Sequence, residues 1–207
     1  MSQCTVRPYT MDDFKGLLEV QKEAFPPPFP EELWWSKDQI QAHLETFPEG
    51  ALLAEIDGKV VGSATSLLIT YDGKPHTWEE VADNGYIRNS HNPNGDSLYG
   101  IDVCVRPSYR GRGIAKALYE ARKETVRKLG LTRFLAGCRI PNFHEYADKM
   151  SVESYIEAVK RGEIHDSVLS FMLKQGLTAI QALPHYLDDD ESLDFAVLVE
   201  WRPSFDR

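Results

Sequence analysis

Between Val103 and Ala115 the chain reads Val-Cys-Val-Arg-Pro-Ser-Tyr-Arg-Gly-Arg-Gly-Ile-Ala. A run of β-branched residues is followed by Pro107, which interrupts a ladder, and then by Gly111 and Gly113, which admit close approach of another backbone. A helix beginning near Ile114 would aim its first unpaired N–H groups at this turn. An anion held there meets several donors and the positive end of the helix dipole, worth roughly 0.3–1 kcal/mol per exposed charge. Arg106, Arg110 and Arg112 stand ready to add charge-assisted hydrogen bonds. The chemistry these residues suit is recognition of a small polyanion such as phosphate. The alternative is an ordinary strand–helix turn with solvent-facing arginines.

Two proton-handling groups lie close in sequence. Asp102 immediately precedes the apolar strand residues, and in a regular strand its side chain points away from those of Val103 and Val105. It is either a base or a structural carboxylate at the strand edge. His91 has a reference pKa of about 6.5 and sits among Ser90, Asn92, Pro93, Asn94 and Gly95. It is either a base in a polar pocket or a loop-stabilising histidine.

The elements that must position these groups follow from pattern. Thr5 to Tyr9 suits a short edge strand ending near Pro8, and Thr10 with Asp13 suits a helix start carrying Phe14, Leu17, Leu18, Ala24 and Phe25. Pro26-Pro27-Pro28-Phe29-Pro30 ends that helix, and a second follows Ser36 with Ile40 and Leu44, leaving at Pro48 and Gly50. Asp57-Gly58 between Ala51–Ile56 and Lys59–Thr70 is a hairpin signal. After the turn, Ile114, Ala117, Leu118, Ala121 and Leu129 mark a helix face, and Arg133 to Arg139 a further strand. A helix from about Asp166 to Gln175, stopped by Gly176, precedes strands near Leu177 to Leu183 and Phe195 to Trp201.

With 207 residues, 42% of them hydrophobic, the chain can bury a substantial core without metals or disulfides, and one domain is expected over 1–207. A net charge of -9 argues against nucleic acid as the main ligand, so the local arginines point to a small anion. Cys4, Cys104 and Cys138 form neither a disulfide framework nor a metal site, which favours a reducing compartment. Charged residues such as Arg7, Asp12 and Asp13 interrupt any leader-like run, and no stretch approaches the roughly 20 apolar residues of a membrane span. The expectation is a cytoplasmic protein without membrane partners.

Arg110, Gly113 and Ala115, with the preceding Val-x-Pro and the following helix, resemble the Arg/Gln-x-x-Gly-x-Gly/Ala signature of the GCN5-related N-acetyltransferase (GNAT) superfamily. The order of elements is similar over nearly the whole chain. The resemblance implies an α/β fold with a mixed, strongly twisted and splayed central sheet flanked by helices. It also implies acetyl-CoA as cosubstrate, its pyrophosphate on Arg110, Gly111, Arg112, Gly113, Ile114 and Ala115 and its pantetheine along Val103, Cys104 and Val105. Asn142, Ser170 and Phe171 complete the expected cofactor-binding set. Two insertions, about 71–97 and 141–164, lie outside the common core and are expected to set substrate choice. The first presents Tyr86, Arg88, His91, Asn92 and Asn94; the second presents His144, Tyr146 and Asp148 before an amphipathic helix with Val152, Tyr155, Ile156 and Val159.

One departure from the family pattern bears on mechanism. Where the penultimate helix often carries a tyrosine that protonates the coenzyme A thiolate, the matching line here is His165, Met172, Gly176 and Leu177, and a thioether donates no proton. Tyr146, His165 or water takes that role, or the thiolate leaves unprotonated. No histidine adjoins Cys104 or Cys138 in sequence, so direct transfer without an acyl-enzyme is expected. The expected function is acetyl transfer from acetyl-CoA to an amine of a small molecule or peptide, with Asp102, His91 and Tyr146 as candidate catalytic residues. A noncatalytic acyl-CoA-binding regulatory module is the alternative, and a homodimer is left open.

Overall fold

The computed structural model describes residues 3–27 and 31–204, so Pro28, Phe29 and Pro30 of the proline run lie outside the described residues. Seven strands form one sheet: β1 (Thr5–Pro8), β2 (Ala51–Ile56), β3 (Lys59–Ile69), β4 (Ser97–Val105), β5 (Arg133–Arg139), β6 (Thr178–Leu183) and β7 (Ala196–Trp201). Their spatial order is β1-β2-β3-β4-β5-β7-β6. The β2–β3 hairpin turns through Asp57 (φ 51°) and Gly58 (φ 75°), the pair of positive φ values that a tight hairpin requires. The β4–β5 pairing is parallel, whereas the other pairs are antiparallel.

Helices cover both faces, as the nearly unbroken burial along the central strands demands. Helix α1 (Phe14–Ala24) and α2 (Lys37–Thr46) cover one face, with Gly16 set directly against Val60. Helix α4 (Ile114–Lys128) covers the other, where Ile114 and Leu118 meet Leu52, Ala54, Val61, Ala64 and Val105. The buried stripe of α4 runs Ile114, Leu118, Arg122, Val126, a four-residue spacing that admits a charged residue into the core. Leu129, expected on that stripe, lies beyond the last turn and is 43% exposed.

The first insertion folds back over the α1–α2 face and contains α3 (Trp78–Ala82), begun by a Thr77–Glu80 capping box. The second contains α5 (Val152–Lys160), whose Val152, Tyr155, Ile156 and Val159 are buried. Helix α6 (Leu169–Lys174) starts three residues later than the sequence pattern suggests. Asp166 explains the delay: its carboxylate accepts from the Val168 and Leu169 amides at 3.0 and 2.8 Å, so it stands before the helix as a cap.

Candidate active site

Strands β4 and β5 pair only from Ser97–Arg133 to Gly100–Ala136. Beyond that point β4 keeps to β3, ending at Gly62–Val105, while β5 keeps to β7 as far as Arg139–Ala196. A bulge starts the divergence: Thr65 faces Asp102 but Ser66 faces Gly100, so Ile101 is an extra residue that bends β4. The edge of β4 from Ile101 to Val105 is thereby left without a β5 partner, and the open end of the split faces the start of α4.

That start is a nest of free amides. After the turn Pro107–Tyr109, Gly111 (φ 76°) and Gly113 (φ 79°) reverse the chain in the left-handed region. A Cβ at either glycine would meet nothing within 4 Å, so the requirement is conformational and the surface above them is open. The first helical bond runs from the Ala117 amide to the Gly113 carbonyl at 2.9 Å, which leaves the amides of Gly111 through Lys116 without a backbone acceptor among the described residues. Arg110 and Arg112 are exposed beside them, Arg112 lying over the Tyr109 ring at 4.8 Å. This arrangement fits a pyrophosphate.

Arg106 does not join it. Only 2% exposed, it turns under the sheet edge, where Nε donates to the Val60 carbonyl at 2.6 Å, Nη2 to Glu19 at 3.0 Å and Nη1 to Glu23. The expectation that Arg106 flanks the turn with Arg110 and Arg112 is corrected, because the residue before Pro107 is still strand-like and its side chain falls on the α1 face.

The two strands that separate each carry a glycine at the split, and each glycine makes room for a side chain. A Cβ at Gly100 would lie 2.9 Å from Arg122 Cζ, and one at Gly137 would lie 2.2 Å from Tyr186 Cζ. From the α4 face, Arg122 Nη2 donates to the Thr65 carbonyl at 2.8 Å and to the Asp102 carbonyl, bracing the bulge. Tyr119 Oη, Arg122 Nε and Asp102 Oδ2 are buried without a well-formed hydrogen bond among the described residues. Burial raises the Tyr119 phenol and Arg122 partly opposes it, so Tyr119 is a neutral donor.

The opposite face is closed by aromatic side chains. Trp78 Nε1 donates to the Ile101 carbonyl at 2.9 Å, and Trp78 stacks on Trp35 at 6.4 Å. Tyr99 and Tyr186, both buried, share a hydroxyl–hydroxyl hydrogen bond of 2.9 Å, and Tyr99 meets His76 Nε2 at 2.7 Å. Beside them runs a polar chain in which Tyr9 Oη touches Thr65 Oγ1 and His43 Nδ1, each at 2.9 Å, and His43 Nε2 donates to the Gly85 carbonyl at 2.6 Å.

Of the residues expected to handle protons, Asp102 lies at the split. Its Oδ1 accepts from the Thr65 amide at 2.9 Å, and burial pushes its carboxyl up to about 6 while Arg122 opposes the rise. His91 lies elsewhere: its Nδ1 accepts from the Leu68 amide at 3.2 Å and its ring stacks on Phe47, along the β3 edge that extends beyond the start of β2. Tyr146 packs on Tyr155 at 5.5 Å. Asn142 and Ser170 gather around Asp166, Asn142 Oδ1 accepting from the Ser167 amide and Ser170 Oγ from that of Asp166. Phe171 reaches the underside of the split through Tyr119, 5.9 Å away. Cys104 is buried against Ser63 and pushed up to about 12, and burial raises Cys138 further, so both thiols stay protonated.

Sequence reasoning missed Tyr119, Arg122, Trp78, Tyr99, Tyr186 and His76. For Arg122 there was a signal: a charge falling at the third place of the stripe Ile114, Leu118, Arg122, Val126.

The model of the acetyltransferase (GNAT) family matches residues 14–147, from α1 through the split and the phosphate turn to the end of β5 and beyond. The chain belongs to the GNAT acetyltransferase family. It is 45% identical over 203 residues to YkwB of Bacillus subtilis, described as an uncharacterized N-acetyltransferase, covering 97% of this chain and 89% of that one. It is also 45% identical over 192 residues to YhcX of the same organism, described as a probable hydrolase; the match covers 91% of this chain but 36% of that longer protein. Among solved structures, the loading GNATL domain of CurA from Lyngbya majuscula superposes with a TM-score of 0.81 at 20% identity, covering 97% of this chain and 98% of that one. The GphF GNAT-like decarboxylase in complex with isobutyryl-CoA gives 0.76 at 20% identity, covering 96% and 98%. Likeness at that identity establishes the fold alone. Family membership supports acetyl-CoA-dependent transfer as the general chemistry and names no acceptor.

Proposed function

We propose that this protein transfers an acetyl group from acetyl-CoA directly to an amine of a small molecule or peptide. The observation that carries the reading is the split itself, whose unpaired β4 edge leads from the free amides of Gly111 to Lys116 up to the buried Tyr119 hydroxyl and Arg122 Nε, neither with a well-formed hydrogen bond among the described residues. The amides with Arg110 and Arg112 hold the pyrophosphate, and Val103 to Val105 offer backbone groups to the pantetheine. Phe171 lines the floor beside Tyr119. At the bulge a β4 amide polarises the thioester carbonyl, and the Arg122 cation stabilises the negative charge that develops there. Tyr119 supplies a neutral O–H at the same place, where the family pattern would have used the residue that is Met172 here. We assign Asp102 to holding the bulge and balancing Arg122, since Oδ1 is already engaged by Thr65.

A second reading rests on the closed aromatic face. Trp78 on the Ile101 carbonyl and Tyr186 over Gly137 narrow the split on that side. Acyl-CoA chemistry without an external acceptor, as in the decarboxylase that shares the fold, suits such closure.

One assay separates the two. Acetyl-CoA and malonyl-CoA are each incubated with the protein, with and without a panel of amines, while free thiol and carbon dioxide are measured. Amine transfer releases thiol only when amine is present. Decarboxylation releases carbon dioxide from malonyl-CoA and leaves the thioester intact. Gly113→Val tests the cofactor assignment in parallel: a β-branched residue at φ 79° is strained by about 1–3 kcal/mol. We expect coenzyme A affinity to drop at least about tenfold in a protein that remains folded. Unchanged affinity would remove this turn from the site.

A further inference from the structure

Tyr186, Tyr99 and His76 connect the split to solvent. Tyr186 lies on Gly137 at the point where β5 leaves β4, its hydroxyl touches that of Tyr99 at 2.9 Å, and Tyr99 touches His76 Nε2 at 2.7 Å. Tyr99 and Tyr186 are buried, while His76 is half-buried and opens on a cleft of about 440 Å³ lined by Thr70, Tyr71, Asp72, Glu80 and Asn92.

The hydrogen bonds have a direction. His76 Nδ1 lies 3.3 Å from the Lys74 carbonyl, which only accepts, so Nδ1 carries the proton and Nε2 is the bare nitrogen. Tyr99 therefore donates to His76, and Tyr186 in turn donates to Tyr99. Both hydroxyl protons point away from the split, and the Tyr186 oxygen, which lies over Gly137, can still accept. Burial lowers His76, which holds it neutral and able to accept.

We propose that Tyr186, Tyr99 and His76 form an outward proton path that takes the proton from the acceptor amine at the split. This inference rests on the amine-transfer reading and deepens it. As the N–C bond forms and the C–S bond breaks, its electron pair leaving on the coenzyme A sulfur as thiolate, the amine proton passes to the Tyr186 oxygen, the Tyr186 proton to Tyr99, and the Tyr99 proton to His76 Nε2. The imidazolium then loses one proton to water in the cleft, so one proton enters the path and one leaves it. Tyr186 touches the acceptor nitrogen; Tyr99 and His76 act through it as positioning residues. A decarboxylase needs the reverse, a proton delivered inward to a carbanion, and the resting hydrogen bonds point the wrong way for that.

The test combines turnover and spectroscopy on the whole chain. The groups facing His76 are Asp72, Glu80, Tyr71, Tyr99 and Tyr186, with Lys74 paired to Asp72 at 3.7 Å. Amine-dependent thiol release from acetyl-CoA should fall as pH drops and His76 becomes protonated. His76→Gln and Tyr99→Phe should each lower kcat about 100-fold, leave the KM for acetyl-CoA unchanged and abolish that acid limb. Wild-type kcat with an unchanged acid limb in both variants would overturn the path while leaving amine transfer standing. Absence of amine-dependent thiol release from the wild-type chain would overturn both. Nitrogen-resolved NMR of the histidine rings gives a readout independent of turnover: His76 should carry its proton on Nδ1, and a proton on Nε2 in the neutral ring would overturn the direction.

Discussion

On the α4 side of the split, the proposed anion site rests on backbone amides from one continuous stretch, Gly111 to Lys116, whereas the opposite side is closed by Trp35, Trp78, Tyr99 and Tyr186, gathered from separated parts of the chain. The first device needs little from side chains beyond two glycines that tolerate positive φ. The second depends on every side chain finding its place, including the glycines that yield space to Arg122 and Tyr186. A backbone site tolerates change around it and fails when its turn is altered. A buried side-chain site fails when any member is removed.

The largest effect should come from Arg122, the cation that braces the split. Arg122→Met retains the stem but strips the donors from the buried Thr65 and Asp102 carbonyls. Two unsatisfied acceptors cost about 1–3 kcal/mol each, so folding stability should fall by about 3 kcal/mol or more. Urea denaturation at neutral pH measures this as a lower midpoint with the slope unchanged. A wild-type midpoint would mean that the bulge holds without its cation.

The same contrast explains what could be read in advance. The glycine turn before α4 was legible because its glycines, its proline and the helix after it are consecutive, and the hairpin at Asp57-Gly58 was legible for the same reason. Arg106 was misplaced because its neighbours in sequence say nothing of Glu19 and Glu23, which reach it from α1. Asp102 was found by adjacency, but its partners Thr65 and Arg122 come from another strand and from the far side of the sheet. His91 looked like a pocket residue because its surroundings are polar, yet its bond to the Leu68 amide depends on where β2 begins. His76 and Tyr99 lie 23 residues apart, and Tyr186 lies 87 from Tyr99, so no local pattern joins them.

An intermediate effect should appear in acid, where two members of the buried side work against each other. Burial raises Asp102 from an ordinary 3.8 to about 6, so the folded chain holds that proton more tightly than the unfolded chain. Its stabilising contribution is complete at low pH and is lost as pH rises through about 6. Burial lowers His43 from 6.5 to about 4, so its contribution is present above 6.5 and is lost as pH falls through about 4. Across the shared interval the two slopes oppose. Asp102→Asn should leave stability rising with pH between about 4 and 6, and His43→Gln should leave it falling, each by about 2 kcal/mol relative to wild type. Denaturation midpoints across that pH range decide it, and parallel profiles for the two variants would show that the groups do not titrate as burial requires.

The smallest effect, that of Arg110, sharpens the comparison most, because it stands against a second arginine four residues away. Arg110 is exposed beside the free amides, whereas Arg106 is 2% exposed and bonded to Val60, Glu19 and Glu23. Arg106→Ala should therefore destabilise the fold by about 1.5–3 kcal/mol, since a charged donor is lost from a buried carbonyl and two carboxylates. Arg110→Ala should leave the denaturation midpoint unchanged and weaken coenzyme A binding by less than about 1 kcal/mol, because water and salt screen an exposed charge. That loss should shrink further as salt rises, while the loss from Arg106→Ala should not. Calorimetric titration with coenzyme A at low and high salt separates them. Equal, salt-sensitive binding losses from both variants would place Arg106 on the phosphate after all and make the two sides of the turn alike.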